Sequence, residues 1–305
     1  MNFDKKQLRN TMLLLLGALI WGTAFVAQSV GSGYVGSYTF LAARSWLACA
    51  FLIVLVLLRR GKARKADPGV PFWINGRMLL RGGVFCGIAL FAASAAQQIG
   101  IGTTSTAKAG FMTALYVVLV PVFGLFLGRK GSAQLWVSMA IAVVGLYLLC
   151  MKDGFGSIQS SDWLLLLCAV LFSFQIMAVD HFSPQMDGVR LSLVEFFVVS
   201  VESTVAAFLF EQPAMAEFVT FAGPILYCGV MSSGVAYTLQ ILGQRDLNPA
   251  IASLIMCLES VFSALGGWLL LHQNLSFRES FGCVLLFAAV VLAQLPLGRL
   301  MRSKA

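Results

Sequence analysis

The stretch Pro121-Val-Phe-Gly-Leu-Phe-Leu-Gly128 returns in altered form as Ser260-Val-Phe-Ser-Ala-Leu-Gly-Gly267. The copies belong to apolar runs that are long enough to cross a bilayer, the fourth and the ninth of ten along the chain. Because five spans separate them and five is odd, the two runs cross in opposite directions. The sequence therefore predicts two halves, residues 1–152 and 160–300, that are inverted copies of each other, with a substrate site where they meet.

The count of ten rests on apolar length. A hydrocarbon core of about 30 Å takes roughly 20 helical residues, and cutting the chain at charged and Gly/Pro clusters isolates the runs. Missing the break at residues 100–105, or the short fifth run, would give nine spans. The fold class that we predict is an all-α membrane protein with ten transmembrane helices. The runs cover residues 10–30, 38–58, 82–101, 106–128, 134–150, 162–180, 191–211, 222–242, 248–271 and 279–297.

The composition agrees with burial in lipid. Of 305 residues, 59% are hydrophobic and only 11% are charged, which leaves too little polar surface to cover a water-soluble globule. The net charge of +8 comes from short basic clusters between apolar runs. This pattern indicates contact with an anionic lipid leaflet and no nucleic-acid partner.

The distribution of basic residues predicts the orientation, because cytoplasmic loops collect Lys and Arg. With ten spans and the N-terminus inside, 17 of the 21 basic residues face the cytoplasm. Only Lys152 and Arg278 face outward, and Arg44 and Lys108 lie within spans. We expect a multi-pass protein of the plasma or inner membrane with both termini cytoplasmic.

The sequence has no motif typical of a metal or cofactor site, and its N-terminal segment only partly resembles a cleaved signal peptide. All seven cysteines lie in or at the ends of apolar runs and no C-x-x-C motif occurs, so we expect no disulfide, no metal and no cofactor. Lys5, Lys6 and Arg9 before an apolar run resemble a secretory signal. Because that run continues through Val26 without a clear cleavage site, we interpret it as an uncleaved first helix.

Three segments together resemble the drug/metabolite transporter superfamily, in its EamA-type ten-helix branch. They are Leu19-Ile-Trp-Gly-Thr-Ala-Phe-Val-Ala-Gln28, the segment Thr103-Thr-Ser-Thr-Ala-Lys-Ala-Gly-Phe-Met-Thr-Ala-Leu-Tyr-Val-Val-Leu-Val-Pro121, and Gly234-Val-Ala-Tyr-Thr-Leu-Gln240 through Leu258-Glu-Ser-Val-Phe262. The resemblance implies export of small metabolites, amino acids among them, by alternating access through a central cavity and without ATP hydrolysis. Facilitated diffusion and proton antiport both remain open, as does the oligomeric state.

One position departs from that family. Members often carry Glu in a Gly-Glu-x-Leu pattern after helix nine, whereas this chain has His272-Gln-Asn-Leu275, and Arg129-Lys130 at the matching place in the first half. A role of that acid in gating or proton coupling is therefore in doubt here.

Ionisable residues at bilayer depth are candidates for function, since each costs at least about 2.5 kcal/mol to insert. Glu259 in helix nine can attract an ammonium or carry a proton, and Lys108 in helix four can meet a carboxylate; both can equally fix helix packing. Glu195 and Glu202 share one face of helix seven. A proton relay competes there with structural pairing, which could involve Arg44. We interpret Arg44 as a structural charge that snorkels to the outer surface.

Polar and aromatic residues form a second group. Trp21 is too deep for an interfacial anchor, so it lines the cavity or packs. Gln97 and Gln98 project about 100° apart, and we expect one of them, without choosing, to line the cavity. Gln175 belongs to the same group, and Tyr237 and Gln240 fit an inner gate or packing. Two glycine pairs, Gly83/Gly87 and Gly266-Gly267, predict close helix approach.

The leading hypothesis is a secondary exporter of a small polar or amphipathic solute, either an amino acid or an organic cation. The chain contains no H-E-x-x-H and no Gly-x-Ser, and its two histidines lie at span ends, which argues against an intramembrane enzyme. No selectivity-filter sequence favours a channel, and the short loops cannot hold a receptor domain.

Overall fold

The computed structural model describes residues 5–32, 34–66, 76–102, 106–151, 160–271 and 274–295. Regular structure within those ranges is entirely helical. Ten helical segments are long and apolar enough to cross a membrane, and each overlaps one of the predicted runs. The ten-helix, all-α fold class is therefore confirmed. Residues 272–273, where the family pattern places its acid, lie outside the described ranges.

Of the fourteen α-helices in the described part of the chain, thirteen belong to the ten spans, and the short helix Met215–Thr220 lies between the seventh and the eighth. The fourth span consists of α4 and α5, the eighth of α10, a π-helical segment at Cys228–Ala236 and α11, and the ninth of α12 and α13. The helices are α1 (Lys5–Ser32), α2 (Ser37–Ala66), α3 (Gly76–Ile101), α4 (Thr106–Ala114), α5 (Tyr116–Phe126), α6 (Ala133–Cys150), α7 (Ser160–Phe182), α8 (Gly188–Phe210), α9 (Met215–Thr220), α10 (Ala222–Tyr227), α11 (Tyr237–Gln244), α12 (Pro249–Met256), α13 (Glu259–Leu271) and α14 (Phe277–Gln294).

Side-chain caps fix where several helices begin. Ser132 accepts a hydrogen bond from the amide of Leu135, and Asp187 does the same for Arg190. Ser276 and Glu279 form a reciprocal capping box. Because the first amides of a helix have no partner within it, these side chains satisfy groups that would otherwise face the membrane interface unpaired.

The outer surface of the bundle is apolar. Large side chains such as Leu58, Phe85, Phe208 and Leu269 are each more than half exposed. An apolar surface of this extent would drive aggregation in water but is solvated by lipid tails. The seven cysteines lie inside the bundle, all buried and none in a disulfide.

The main helix contacts join the two halves of the chain. The helix α2 packs along α8, α3 packs along α7 and α8, and α1 packs along α13 and α11. The pair α6 and α14 has the most extensive contact. Because the halves interdigitate, a cavity at the centre of the bundle has walls from both.

The two glycine pairs that predict close helix approach differ in the structure. A Cβ atom on Gly83 would lie 2.4 Å from Val194 Cγ1, and one on Gly87 would lie 2.6 Å from Val198 Cβ, so α3 and α8 approach each other as predicted. At Gly266 the prediction is wrong. A Cβ atom there would lie 3.7 Å from Thr23 Cγ2, an ordinary contact that leaves room for a side chain.

We expect Gly282→Ala to destabilise the protein, because α6 and α14 cross at Gly145 and Gly282. A Cβ atom on Gly282 would lie 2.7 Å from the carbonyl oxygen of Gly145, and the backbone cannot give way easily. Overpacking of this kind costs about 1–3 kcal/mol, or roughly 5 °C in melting temperature. Thermal unfolding in detergent measures the change. Gly223→Ala is the control, since nothing lies within 4 Å of its Cβ position; equal melting temperatures for the two variants would contradict the crossing.

Candidate functional site

A central cavity lies between seven of the ten spans and has walls from both halves of the chain. It contains about 470 Å³ of space free of protein atoms, counting the part open to solvent. Its lining combines aromatic rings, amides and one residue of each charge. The lining residues are Trp21, Phe25, Gln28, Arg44, Gln97, Thr113, Tyr116, Phe172, Gln175, Ile176, Ser232, Tyr237, Gln240, Met256 and Glu259.

Seven of the eleven predicted site residues line this cavity. They are Trp21, Arg44, Gln97, Gln175, Tyr237, Gln240 and Glu259. Of the two neighbouring glutamines, Gln97 is the one at the cavity. Gln98 is buried elsewhere in the bundle, with both amide atoms unpaired.

Three charged candidates remain, and the two whose side chains the structure describes, Glu195 and Glu202, are not among the residues that line the cavity. Glu195 is fully buried behind Gln175. Glu202 is partly buried on the same helix, with one carboxylate oxygen unpaired. The backbone of Lys108 lies in α4, and its side chain lies outside the described part of the chain.

The interpretation of Arg44 as a charge that snorkels to the outer surface is wrong. The side chain is only 3% exposed and faces the cavity, so it does not snorkel to the outer surface. Its Nη1 donates to Gln28 Oε1 at 3.3 Å, while its Nε has no partner. Within the described residues no hydrogen bond or ion pair joins it to Glu195 or Glu202. Sequence reasoning missed this because position along a span does not say which way a side chain faces.

Glu259 follows an irregular turn within a membrane helix. The ninth span is interrupted between α12 and α13, and Glu259 is the first residue of α13. The carboxylate is 6% exposed and accepts a hydrogen bond of 3.1 Å from the Tyr116 hydroxyl. Hydrogen bonds continue across the turn, because Ser260 N donates to the Cys257 carbonyl at 3.2 Å and Phe262 N to the Leu258 carbonyl at 3.0 Å.

Tyr116 occupies the corresponding place in the fourth span. It is the first residue of α5, directly after the interruption at Leu115. The fourth and ninth spans thus meet through a hydrogen bond between the residues that follow these irregular turns. The sequence points to Tyr116 only as a lone phenol in an otherwise apolar run, which is a weak signal.

A chain of amides borders the cavity on another side. Gln175 Nε2 donates to Glu195 Oε1 at 2.9 Å, and Gln240 Nε2 donates to Gln175 Oε1 at 3.1 Å. Gln240 Nε2 also donates to Gln244 Oε1 at 3.0 Å. The structure therefore connects Glu195 to the cavity through amides and gives no hydrogen bond between Glu195 and Glu202, both of which it describes.

Aromatic rings form much of the apolar wall. Trp21 and Tyr237 meet edge to face with ring centroids 4.9 Å apart, and Phe196 packs against Tyr237 with ring centroids 5.3 Å apart. Trp21 Nε1 is buried without a hydrogen-bond partner. Because a buried unpaired donor is costly, this N–H is available to a ligand in the cavity.

Comparison with known proteins identifies the family of this chain. The sequence profile of the EamA-like transporter family matches residues 9–151 and 159–295. An uncharacterized transporter of Archaeoglobus fulgidus is 27% identical over 95% of this chain and 87% of its own. Uncharacterized transporter YoaV of Bacillus subtilis is 21% identical over 89% of this chain and 92% of its own.

A solved structure described as "Crystal structure of protein" superposes on this chain with a TM-score of 0.77. The two are 19% identical, and the match covers 95% of this chain and 98% of the other, so the likeness is one of fold. Family profile, relatives and ten apolar spans agree. The chain belongs to the EamA-like transporter family and is a multi-pass membrane transporter.

Proposed function

We propose that the central cavity binds a zwitterionic small molecule, an amino acid or a close relative, and that the protein exports it by alternating access. The observation that carries the proposal is the presence of Arg44 and Glu259, one cation and one anion, in the lining of a single cavity. Both side chains are more than 90% buried. Isolated buried charges are expensive, and a ligand with the opposite charges offsets that cost.

The free donors favour a carboxylate near Arg44. Arg44 Nε and Trp21 Nε1 are both buried and unpaired, and both residues line the cavity. A guanidinium binds carboxylates strongly because its donors form a planar fork. The ammonium of the same ligand would then pair with Glu259, and its side chain would contact the aromatic wall of Phe25, Phe172 and Tyr237.

Helix packing supports the inverted repeat of residues 1–152 and 160–300. A two-fold relation exchanges the first span with the sixth, the second with the seventh, and so on. The contact of the third span with the sixth then corresponds to that of the first with the eighth, and both are present. The second span also contacts the seventh, the fourth contacts the ninth, and the fifth contacts the tenth. The two-fold relation maps each of these pairs onto itself. In inverted repeats, alternating access comes from rocking of one bundle against the other.

Weak ion pairs between the halves fit such rocking. On the side predicted to be cytoplasmic, Lys6 Nζ lies 2.8 Å from Asp246 Oδ2, and Arg59 Nη2 lies 3.5 Å from Asp187 Oδ2. The hydrogen bond from Lys6 lowers the pKa of Asp246 below its ordinary value. Exposed pairs of this kind contribute at most about 1 kcal/mol each, so they can separate when that side opens.

A second candidate substrate is an organic cation. Five aromatic residues line the cavity together with Glu259: Trp21, Phe25, Tyr116, Phe172 and Tyr237. Aromatic faces attract ammonium groups, but a lone cation would be repelled by Arg44. The zwitterion is therefore the substrate class that we favour.

Vesicle uptake of radiolabelled L-phenylalanine tests the proposed function, since its ring suits the aromatic wall. Inverted membrane vesicles from cells that express the protein should accumulate it in a saturable manner, whereas vesicles from control cells should not. Uptake with and without an imposed pH gradient separates proton antiport from facilitated diffusion. Uptake of phenethylamine but not of any amino acid would replace the zwitterion with the organic cation, and uptake of neither would contradict the substrate class.

A further inference from the structure

The amide chain beside the cavity has a fixed direction because one of its two ends is a backbone carbonyl, which can only accept a hydrogen bond. One end is the carboxylate of Glu195, which accepts from Gln175 Nε2. The other is the backbone carbonyl of Ile176, which accepts from Gln244 Nε2 at 3.4 Å. An amide has a donating nitrogen and an accepting oxygen. Gln244 directs its nitrogen to Ile176 and its oxygen to the residue in the middle of the chain. Gln175 directs its nitrogen to Glu195 and its oxygen to the same middle residue.

Gln240 is that central residue. Its Nε2 donates to the oxygens of both Gln175 and Gln244, at 3.1 Å and 3.0 Å, which uses its two N–H groups. Its Oε1 is left over, buried and without a hydrogen-bond partner. The neighbouring glutamines fix the orientation of this amide. Exchanging the positions of its oxygen and nitrogen would break both hydrogen bonds, which costs more than leaving Oε1 unpaired.

We propose that Gln240 Oε1 is a hydrogen-bond acceptor reserved for an N–H donor of the substrate. Gln240 lines the same cavity as Glu259, so the oxygen and the carboxylate together suit an ammonium group. An unpaired buried acceptor is costly until a donor arrives, which makes the ligand's N–H the missing partner. This inference rests on the proposed function and names how the cavity recognises the amino end of its substrate.

Glu195 has a positioning role under this proposal, as do Gln175 and Gln244. Glu195 is fully buried and absent from the cavity lining, so it acts only through Gln175. By accepting from Gln175 Nε2 it keeps the Gln175 oxygen turned toward Gln240. A glutamine at position 195 could present either its oxygen or its nitrogen, and the chain would lose part of its direction.

Three ligands with the same ring test the proposal: L-phenylalanine, phenethylamine, which lacks the carboxylate, and 3-phenylpropanoate, which lacks the amine. Dissociation constants are measured by calorimetry on purified protein in nanodiscs. Gln240→Met should weaken the two amines about ten-fold, the effect of losing a hydrogen bond to a charged donor, and 3-phenylpropanoate less than two-fold. Glu195→Gln should weaken the amines roughly three-fold and leave 3-phenylpropanoate unchanged, because only part of the amide orientation is lost.

Two substitutions of matched chemistry serve as controls. Glu202→Gln repeats the exchange seven residues along α8, and Gln98→Met removes a buried amide outside the cavity; both should leave all three constants within two-fold. Melting temperatures show that each variant is folded, and Glu195→Gln keeps the test open if Gln240→Met does not fold. Equal weakening of all three ligands, or unchanged amine binding, would overturn the role of Gln240. Wild-type protein that binds none of the three would instead contradict the proposed substrate class, and the inference would fall with it.

Discussion

Transport of L-phenylalanine should fall roughly 100-fold or more in Glu259→Gln. The carboxylate is buried at the restart of the ninth span, where it is the one acidic residue in the cavity lining that the structure describes. Leaving a substrate ammonium without its counter-charge in a buried site costs about 3–5 kcal/mol. Initial rates of uptake into proteoliposomes measure the loss.

A milder change at the same place provides the control. Tyr116→Phe removes the single hydroxyl that donates to Glu259 and leaves the charge in place. Losing one hydrogen bond should lower the rate only about five-fold. If Glu259→Gln transports and binds L-phenylalanine as the wild type does, Glu259 has no direct role. Should the variant retain uptake but lose its response to a pH gradient, the residue carries a coupling proton and does not bind the ammonium.

Arg44→Met should reduce L-phenylalanine transport by a similar factor, about 100-fold, while phenethylamine transport rises. The guanidinium has one donor on Gln28 and an unpaired Nε beside the cavity, so its removal takes away the partner for the substrate carboxylate. The same removal relieves repulsion toward a ligand that carries only an ammonium. Competition between the two ligands in one proteoliposome assay measures both effects.

Arg44→Lys separates charge from shape. Lysine keeps the positive charge but cannot present a planar pair of donors, so an intermediate loss of about ten-fold is expected. If Arg44→Met transports L-phenylalanine normally, the carboxylate is bound elsewhere. Lys108, whose position in α4 suggested such a role from the sequence, would then be the next residue to replace.

The spans of this protein could be predicted because hydropathy is a one-dimensional property. A run such as residues 12–26 must cross the membrane or remain buried whatever it packs against. The depth of a charge follows from the same count, which is why Glu259 was recognised as a candidate from sequence. Depth also explains why Trp21 and Gln175 were candidates.

Rotation about the helix axis could not be predicted in the same way. Gln97 and Gln98 have the same depth and chemistry, and only the packing of α3 against its neighbours decides that Gln97 faces the cavity. Arg44 was placed at the surface for the same reason, although it points inward. In a lipid-facing bundle both helix faces are apolar, so the usual amphipathic signal of the buried face is absent.

The irregular turns within the fourth and ninth spans are the other feature that the sequence does not predict. Irregular turns precede Tyr116 and Glu259, two hydrogen-bonded residues that are 143 positions apart in the chain. Neither break follows a proline or glycine directly, since Leu115 precedes one and Leu258 the other. The residues next to these irregular turns therefore give no local signal from which the sequence could predict them.

Cysteine labelling tests most directly whether the central cavity is the transport pathway. Gln97→Cys places a thiol in the cavity lining, and Gln98→Cys places one on the adjacent buried face; the seven native cysteines are buried and set the background. A membrane-impermeant thiol reagent is applied from either side of oriented vesicles, with and without L-phenylalanine. Alternating access predicts that Gln97→Cys is labelled from both sides and protected by L-phenylalanine, while Gln98→Cys remains at background. Labelling of Gln97→Cys from one side only, or without protection, would contradict a central cavity that carries substrate across the membrane.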